Sequence, residues 1–250
     1  MLKEESLITF VSTVPGLTQI EECTPKPMNK YIPDWWKKTP VEKGYTTVEG
    51  SYEGNIKTCP SFADFFSKGY VIPMWADVLL SFDKSTDRWE YKTRTNETQW
   101  SALGKEETLG AMPYKLLGST PSFAFKGYSP WKIITKPGYS CMVLPLFFHF
   151  NADFSVIPGI VDTDTHHSLH PDVLYHTDKT EIIIERGTPL MHVIPFKREN
   201  SSFAVQELED IDVDIFKKLN EHSARMGSKF QGTNNYLNDR KLKSLRKDFN

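Results

Sequence analysis

The chain has 250 residues, 30 Lys and Arg against 32 Asp and Glu, and a formal net charge of −2. That length allows a real hydrophobic core in one domain, or in one domain with appendages. The balanced charge gives no global argument for nucleic acid or an acidic membrane surface as partner, so neither is expected. No apolar run reaches the roughly eighteen residues of a membrane span, and the first residues, "MLKEESLITFV", lack the pattern of a secretory signal. Cys23, Cys59 and Cys141 lie far apart without a CxxC spacing. Reduced, partly buried thiols in a cytoplasmic protein are therefore expected.

Residues 1–58 read as an irregular arm. "ITFVSTV" can form one strand, but "CTPKPMNKYIPDWWKKTP" places prolines where a regular element needs backbone donors. Trp35 and Trp36, flanked by Pro33 and Pro40, are expected to clamp this arm onto the body, since tryptophan covers apolar surface without needing a ligand. "CPSFADFFSKG", Cys59 to Gly69, has apolar residues three and four apart and ends in glycine, which predicts a short helix.

Strands follow. "YVIPMWADVLLSFD" and "RWEYKTRT" flank Lys84 to Asp87, which predicts a hairpin. From Phe123 the runs "FAFKG", "WKIITKPGYSCMVLPLFFHF", "FSVIPGIVDT", "TEIIIERG" and "LMHVIPFKRE" are short, apolar and separated by Gly or Pro. That pattern predicts a mainly β body, a β-clip or a related distorted β-barrel or sandwich, over 59–200 rather than repeated βαβ units. Residues 201–250 change character: "DIFKKLNEHSARM" has a helical period, and His222 to Asn250 carries seven Lys or Arg against Asp239 and Asp248. A helical, locally basic tail is expected there, packed on the body or on a neighbouring subunit, without the aromatic interleaving of a nucleic-acid surface.

The most concentrated chemistry is "GIVDTDTHHSLH", Gly159 to His170. Six of the seven histidines fall between His149 and His192. If 160–166 is extended, alternation places Asp162, Asp164 and His166 on one side. Two carboxylates and an imidazole, joined by His170, make a candidate set for a divalent metal: Fe, Mn, Zn or Mg. His149, His176 and His192 could fold back towards the same place. The same residues can work without metal, with Asp162 or Asp164 orienting a water while His166 shuttles a proton. They can also form a structural polar loop, because Thr, Asp, His and Ser cap turns through local hydrogen bonds. Cys141 opens the apolar run "CMVLPLFF" and suits a small buried hydrophobe better than a nucleophile. No Walker A or G-x-G-x-x-G sequence is present, so ATP-driven and NAD-linked functions rank low. A cupin-like site ranks below a generic metal site, because His149-Phe-Asn151 lacks the second histidine of H-x-H.

"PGIVDTD", followed some twenty residues later by "IIIERGTPLMHVIPF", resembles the trimeric dUTPases and dCTP deaminases over residues 135–197. The resemblance implies a β-clip assembled as a homotrimer, a nucleotide-related ligand, and for Asp162 the part of the motif's first aspartate, which helps to place the catalytic water and the deoxyribose. Asp164 matches the second aspartate. The order "IPDWWKKTP", "CPSF…GYVIPMWADV", "PGYSCMVLPL", "GIVDTDTHHSLH" and "GTPLMHVIPFKRE" also resembles a protein family of bacteria and tailed phages, including phages of cyanobacteria, which would place the chain in a host cytoplasm. Two functions follow: a binding protein or enzyme for a small polar metabolite or nucleotide, using Asp162, Asp164 and His166; or a non-enzymatic phage or bacterial accessory or assembly protein that acts by self-association and partner binding.

Overall fold

A computed structural model describes residues 6–40, 45–46, 52–53, 56–58, 60–83, 85, 88–94, 100–103, 123–177, 179–199 and 202–205. The expected helix beyond Asp212 and the basic tail lie outside the described residues. The chain divides into two compact units, Met1–Pro33 with Lys68–Glu199, and Asp34–Ser67 with Asn200–Asn250.

Among its described residues the first unit is mainly β, with short 3-10 segments at Leu17–Gln19, Glu21–Cys23, Met28–Tyr31 and Phe147–His149. Its strands are β1 (Ile8–Ser12), β2 (Lys26–Pro27), β5 (Tyr70–Pro73), β6 (Val78–Asp83), β7 (Arg88–Thr93), β8 (Trp100–Leu103), β9 (Phe123–Gly127), β10 (Trp131–Thr135), β11 (Tyr139–Pro145), β12 (Phe154–Val156), β13 (Gly159–Val161), β14 (Asp172–Tyr175), β15 (Glu181–Ile184) and β16 (Pro189–Lys197). They form four antiparallel sheets in the orders β1-β10, β13-β11-β16-β5-β2, β12-β14-β9-β8 and β15-β6-β7. Among the described residues no sheet closes on itself, so the mainly β body is a set of open sheets rather than a closed barrel.

Period-two patterning drives this arrangement. In β10, Trp131, Ile133 and Thr135 are buried while Lys132 and Ile134 are less so, and in β15 Ile182 and Ile184 are buried while Glu181 and Ile183 face solvent. The inward residues meet in one cluster that includes Ile72, Leu80, Phe125, Trp131, Val143, Val173, Tyr175, Met191 and Val193. Trp75 and Trp100 stack at 6.0 Å with ring planes 14° apart. The expected hairpin is present: β6 and β7 pair in register from Val78↔Thr93 to Asp83↔Arg88, and Ser85 donates its backbone N–H to Asp83 Oδ1 at 2.8 Å. "ITFVSTV" supplies β1, which pairs with β10 from Ile8↔Thr135 to Ser12↔Trp131.

The second unit contains α1 (Asp34–Lys38), the short pair β3 (Tyr45–Thr46) with β4 (Tyr52–Glu53), and α2 (Pro60–Ser67). The helix expected over Cys59 to Gly69 is α2. Trp36 is 8% exposed and packs on it, 4.7 Å from the Phe66 ring and 6.1 Å from Phe62. Lys37 and Lys38 close α1, where cations suit the carbonyl end of a helix.

A candidate carboxylate site at the end of β13

β11 holds the centre of the five-stranded sheet with β13 on one side and β16 on the other. Cys141↔Val161 and Tyr139↔Lys197 are paired positions, so the end of β13, the start of β11 and the end of β16 converge. The residues just beyond those strand ends build the site. β13 stops at Val161. The backbone N–H groups of Thr165 and His166 both donate to the Asp162 carbonyl, at 3.0 and 2.7 Å, so Asp162 to His166 is a turn. The extended run expected through His166 is corrected accordingly: the local hydrogen bonds of an Asp- and Thr-rich segment win over strand alternation.

That turn gives each residue a different environment. Thr163 is 1% exposed, with Oγ1 2.8 Å from Thr135 Oγ1 and 3.3 Å from Cys141 Sγ. The Asp164 side chain is 7% exposed and that of Asp162 is 57% exposed. Arg198, one residue past β16, joins the two carboxylates. Its Nη1 donates to Asp164 Oδ1 at 2.9 Å and its Nη2 lies 2.5 Å from Asp164 Oδ2, a two-point contact. Nη1 also lies 3.1 Å from Asp162 Oδ1 and donates to Ser140 Oγ at 2.9 Å, while Ser140 donates to Asp162 Oδ1 at 2.6 Å.

Gly138 completes the clasp. At φ +81° it occupies the left-handed region that favours glycine, accepts the Arg198 backbone N–H at 2.8 Å and donates its own N–H to Asp164 Oδ2 at 2.8 Å. The hydrogen bond from Arg198, then that from Gly138, holds the Asp164 carboxyl down at about 2. Two carboxylates and one guanidinium leave one net negative charge, carried on the solvent side by Asp162.

Among the described residues the histidines do not join this cluster through their side chains. His149 Nε2 is 2.7 Å from the Tyr31 carbonyl, His192 Nε2 is 2.7 Å from the Lys68 carbonyl, and His167 Nδ1 is 2.9 Å from the Thr163 carbonyl. His166 lies exposed on the turn, and His170 packs against Tyr128 with ring centroids 5.1 Å apart. Burial, then the nearby Lys132, lowers the His170 imidazole below the ordinary histidine range.

Among the described residues no three His, Cys, Asp or Glu side chains come together as metal ligands. Asp162, Asp164, His166 and His170, expected as a divalent-metal set, are therefore not assembled as one. Arg198 takes up both Asp164 oxygens and one of Asp162, and the His170 ring packs against Tyr128 instead. Cys141 is wholly buried, and burial pushes its thiol up, away from nucleophilic use. Arg198 is the site residue that the sequence left unmarked. Its signal was a lone arginine directly after the apolar run "LMHVIPFK", visible in meaning only once β16 is placed beside β11.

No family model matches the chain, and no curated protein matches it in sequence. Among solved structures, the dUTPase from phage phi11 of S. aureus, described with a structural Mg(II) ion, is 12% identical at a TM-score of 0.32 over 63% of this chain and 90% of that one. The dUTPase of Staphylococcus bacteriophage 80alpha with dUpNHpp is 10% identical at 0.31, over 76% and 91% of the two chains. The native EIAV dUTPase is 10% identical at 0.28, over 54% and 99%. Likeness at this level carries no argument about this chain.

Proposed function

We propose that this chain binds a small polar ligand of nucleotide type, and that Asp162 is the group that recognises it. One observation carries the proposal: Asp162 Oδ1 is fixed by Ser140 at 2.6 Å and Arg198 at 3.1 Å, yet the side chain remains 57% exposed. A carboxylate held in place by two donors on one oxygen presents the other oxygen, already oriented, to a hydroxyl or to a water. Asp164 is the buried support and Asp162 the accessible acceptor. This division agrees with the resemblance of "GIVDTD" to a motif whose first aspartate faces a deoxyribose. No metal is needed between the carboxylates, because Arg198 already offsets their charge. A cytoplasmic location belongs to the same proposal.

The test is calorimetric titration with a panel of deoxynucleosides, nucleoside mono- and triphosphates and simple sugars, with product analysis for the triphosphates. Saturable binding of a hydroxyl-bearing nucleoside or nucleotide supports the proposal, and released phosphate or pyrophosphate would extend it to an enzyme. A panel in which nothing binds, or in which Asp162→Asn binds as tightly as the parent, would overturn it.

A second reading, a protein that works by self-association, is favoured by a specific pair. Ile160 on β13 and Met142 on β11 are directly opposed and 61% and 36% exposed, which places two large apolar side chains side by side on a solvent-facing surface. The two readings are compatible: the resemblance implies a homotrimer as well as a nucleotide ligand.

A further inference from the structure

The turn after Asp164 leads into a second group of polar side chains, which the Asp162 site does not use. Lys132 on β10 forms an isolated antiparallel bridge with Ser168, and its Nζ lies 2.5 Å from Ser168 Oγ. Lys126 on β9 stands opposite Asp172 on β14, with Nζ 3.6 Å from Asp172 Oδ1, a charge contact beyond hydrogen-bond range. His170 is partly buried beside the Tyr128 ring. The Lys132↔Ser168 bridge and the Lys126↔Asp172 pair fall two residues to either side of His170, so the segment Ser168 to Asp172 carries one ammonium group on each side of that imidazole. Three elements, β9, β10 and the segment leading into β14, thus bring two ammonium groups and one imidazole to the same stretch of chain.

Two features make this more than a solvated basic surface. The Lys126 side chain is 36% exposed and that of Asp172 33%, so the charges are partly withdrawn from solvent and less screened than free surface lysines. His170 Nδ1 is enclosed and has no hydrogen-bond partner among the described residues. An enclosed ring nitrogen without an acceptor favours the tautomer with its proton on Nε2, which makes the other edge of the ring a donor. The Lys132 ammonium has three N–H groups, of which Ser168 takes one. The spare donors therefore come from several directions, around a positive surplus.

We propose that Lys126, Lys132 and His170, beside Tyr128, form a binding site for a phosphate-type oxyanion. A tetrahedral, multiply charged oxyanion accepts hydrogen bonds from several directions and matches two ammonium groups and an imidazole N–H better than a planar carboxylate does. The site is independent of the Asp162 acceptor, and it stands if that proposal fails.

The experiment is calorimetric titration of the full chain with inorganic phosphate, a nucleoside 5′-monophosphate and the matching nucleoside, at fixed pH and ionic strength in chloride. Lys126→Met with Lys132→Met removes both ammonium groups while keeping aliphatic bulk, and Lys179→Met controls for the loss of a surface charge elsewhere. Saturable phosphate binding, weakened at least about tenfold in the double variant and unchanged in the control, is the expected result; two partly screened charge contacts account for a change of that order. Monophosphate binding tighter than both phosphate and nucleoside identifies the phosphate group of a nucleotide as the ligand. Equal affinity for phosphate and monophosphate identifies the free ion. If the double variant does not fold, Lys126→Met alone carries the comparison, with at least about threefold weakening expected. Absence of saturable phosphate binding, or equal affinity in the parent and the folded lysine variant, overturns the proposal.

Discussion

Arg198 grips Asp164 with both terminal nitrogens of its guanidinium and touches Asp162 with one of them, so a single arginine ties two aspartates two residues apart into different duties. Asp164 is 7% exposed and also takes the Gly138 N–H; Asp162 is mostly open to solvent. The turn that ends β13 is thereby fastened to the end of β16 by charge as well as by the sheet.

The pH dependence of that fastening has a definite sign. Asp164 has its carboxyl lowered to about 2 in the folded chain, against about 3.9 for an ordinary aspartate. A lowered carboxylate contributes stability that is fully present above the unfolded value and is lost as pH falls through the folded one. Asp164→Asn should therefore lower the urea midpoint by a constant amount above about pH 5, and the gap should close as pH falls towards about 2. Parallel curves for parent and variant down to the acid limit would show that the clasp contributes nothing.

Gly69 is a place where a methyl group cannot fit. Its φ is +72°, and a Cβ there would stand 2.4 Å from the Val193 carbonyl oxygen and 2.9 Å from His192 Nε2. The Met28 N–H also donates to the Gly69 carbonyl at 3.1 Å, which ties the segment to its neighbour. Gly69→Ala combines backbone strain with overpacking and should cost about 2–4 kcal/mol, read as a shift of the denaturation midpoint. Gly138→Ala meets nothing within 4 Å and should lose only the left-handed preference, about 1 kcal/mol.

The apolar pair on β11 and β13 makes a prediction about assembly. If Ile160 and Met142 lie in a subunit contact, Ile160→Lys should shift the mass measured by light scattering towards a single chain and leave the far-ultraviolet circular dichroism unchanged. An unchanged mass in a folded variant removes this surface from the contact.

Cys23 and Cys141 are both wholly buried, and burial raises both thiols. Peptide mapping after brief alkylation of the native protein should find these two unmodified, while urea-unfolded protein should be labelled at both. Rapid native labelling of Cys141 would place it at an accessible surface and reopen a nucleophilic role.

Much of the body was legible in the sequence because burial on one face writes a period of two. β10 and β15 show it directly, and the Val78–Asp83 and Arg88–Thr93 hairpin follows from a short polar break between two such runs. The helix at Pro60–Ser67 showed in its apolar spacing and in the glycine beyond it. The candidate site was legible only in part. Asp162 and Asp164 stood out as residue types, but alternation assumed a strand where the Asp162 carbonyl makes a turn. The histidine cluster was a cluster in sequence alone, since His149, His167 and His192 each go to a different backbone carbonyl. Arg198 could not be read at all, because its meaning depends on a pairing between β11 and β16 some 58 residues apart, where it meets Ser140.

The most direct measurement compares Asp162→Asn with Asp164→Asn in the same two assays, ligand affinity by calorimetry and stability by urea denaturation at neutral pH. Asp162→Asn should weaken binding of the nucleoside or nucleotide ligand at least about tenfold with a midpoint close to the parent's, since a lost hydrogen bond to a charged group is of that order and the side chain is mostly exposed. Asp164→Asn should lower the midpoint and affect binding only as far as the turn loosens. The opposite pattern, binding lost with Asp164 and untouched by Asp162→Asn, would contradict the assignment of Asp162 as the recognising group.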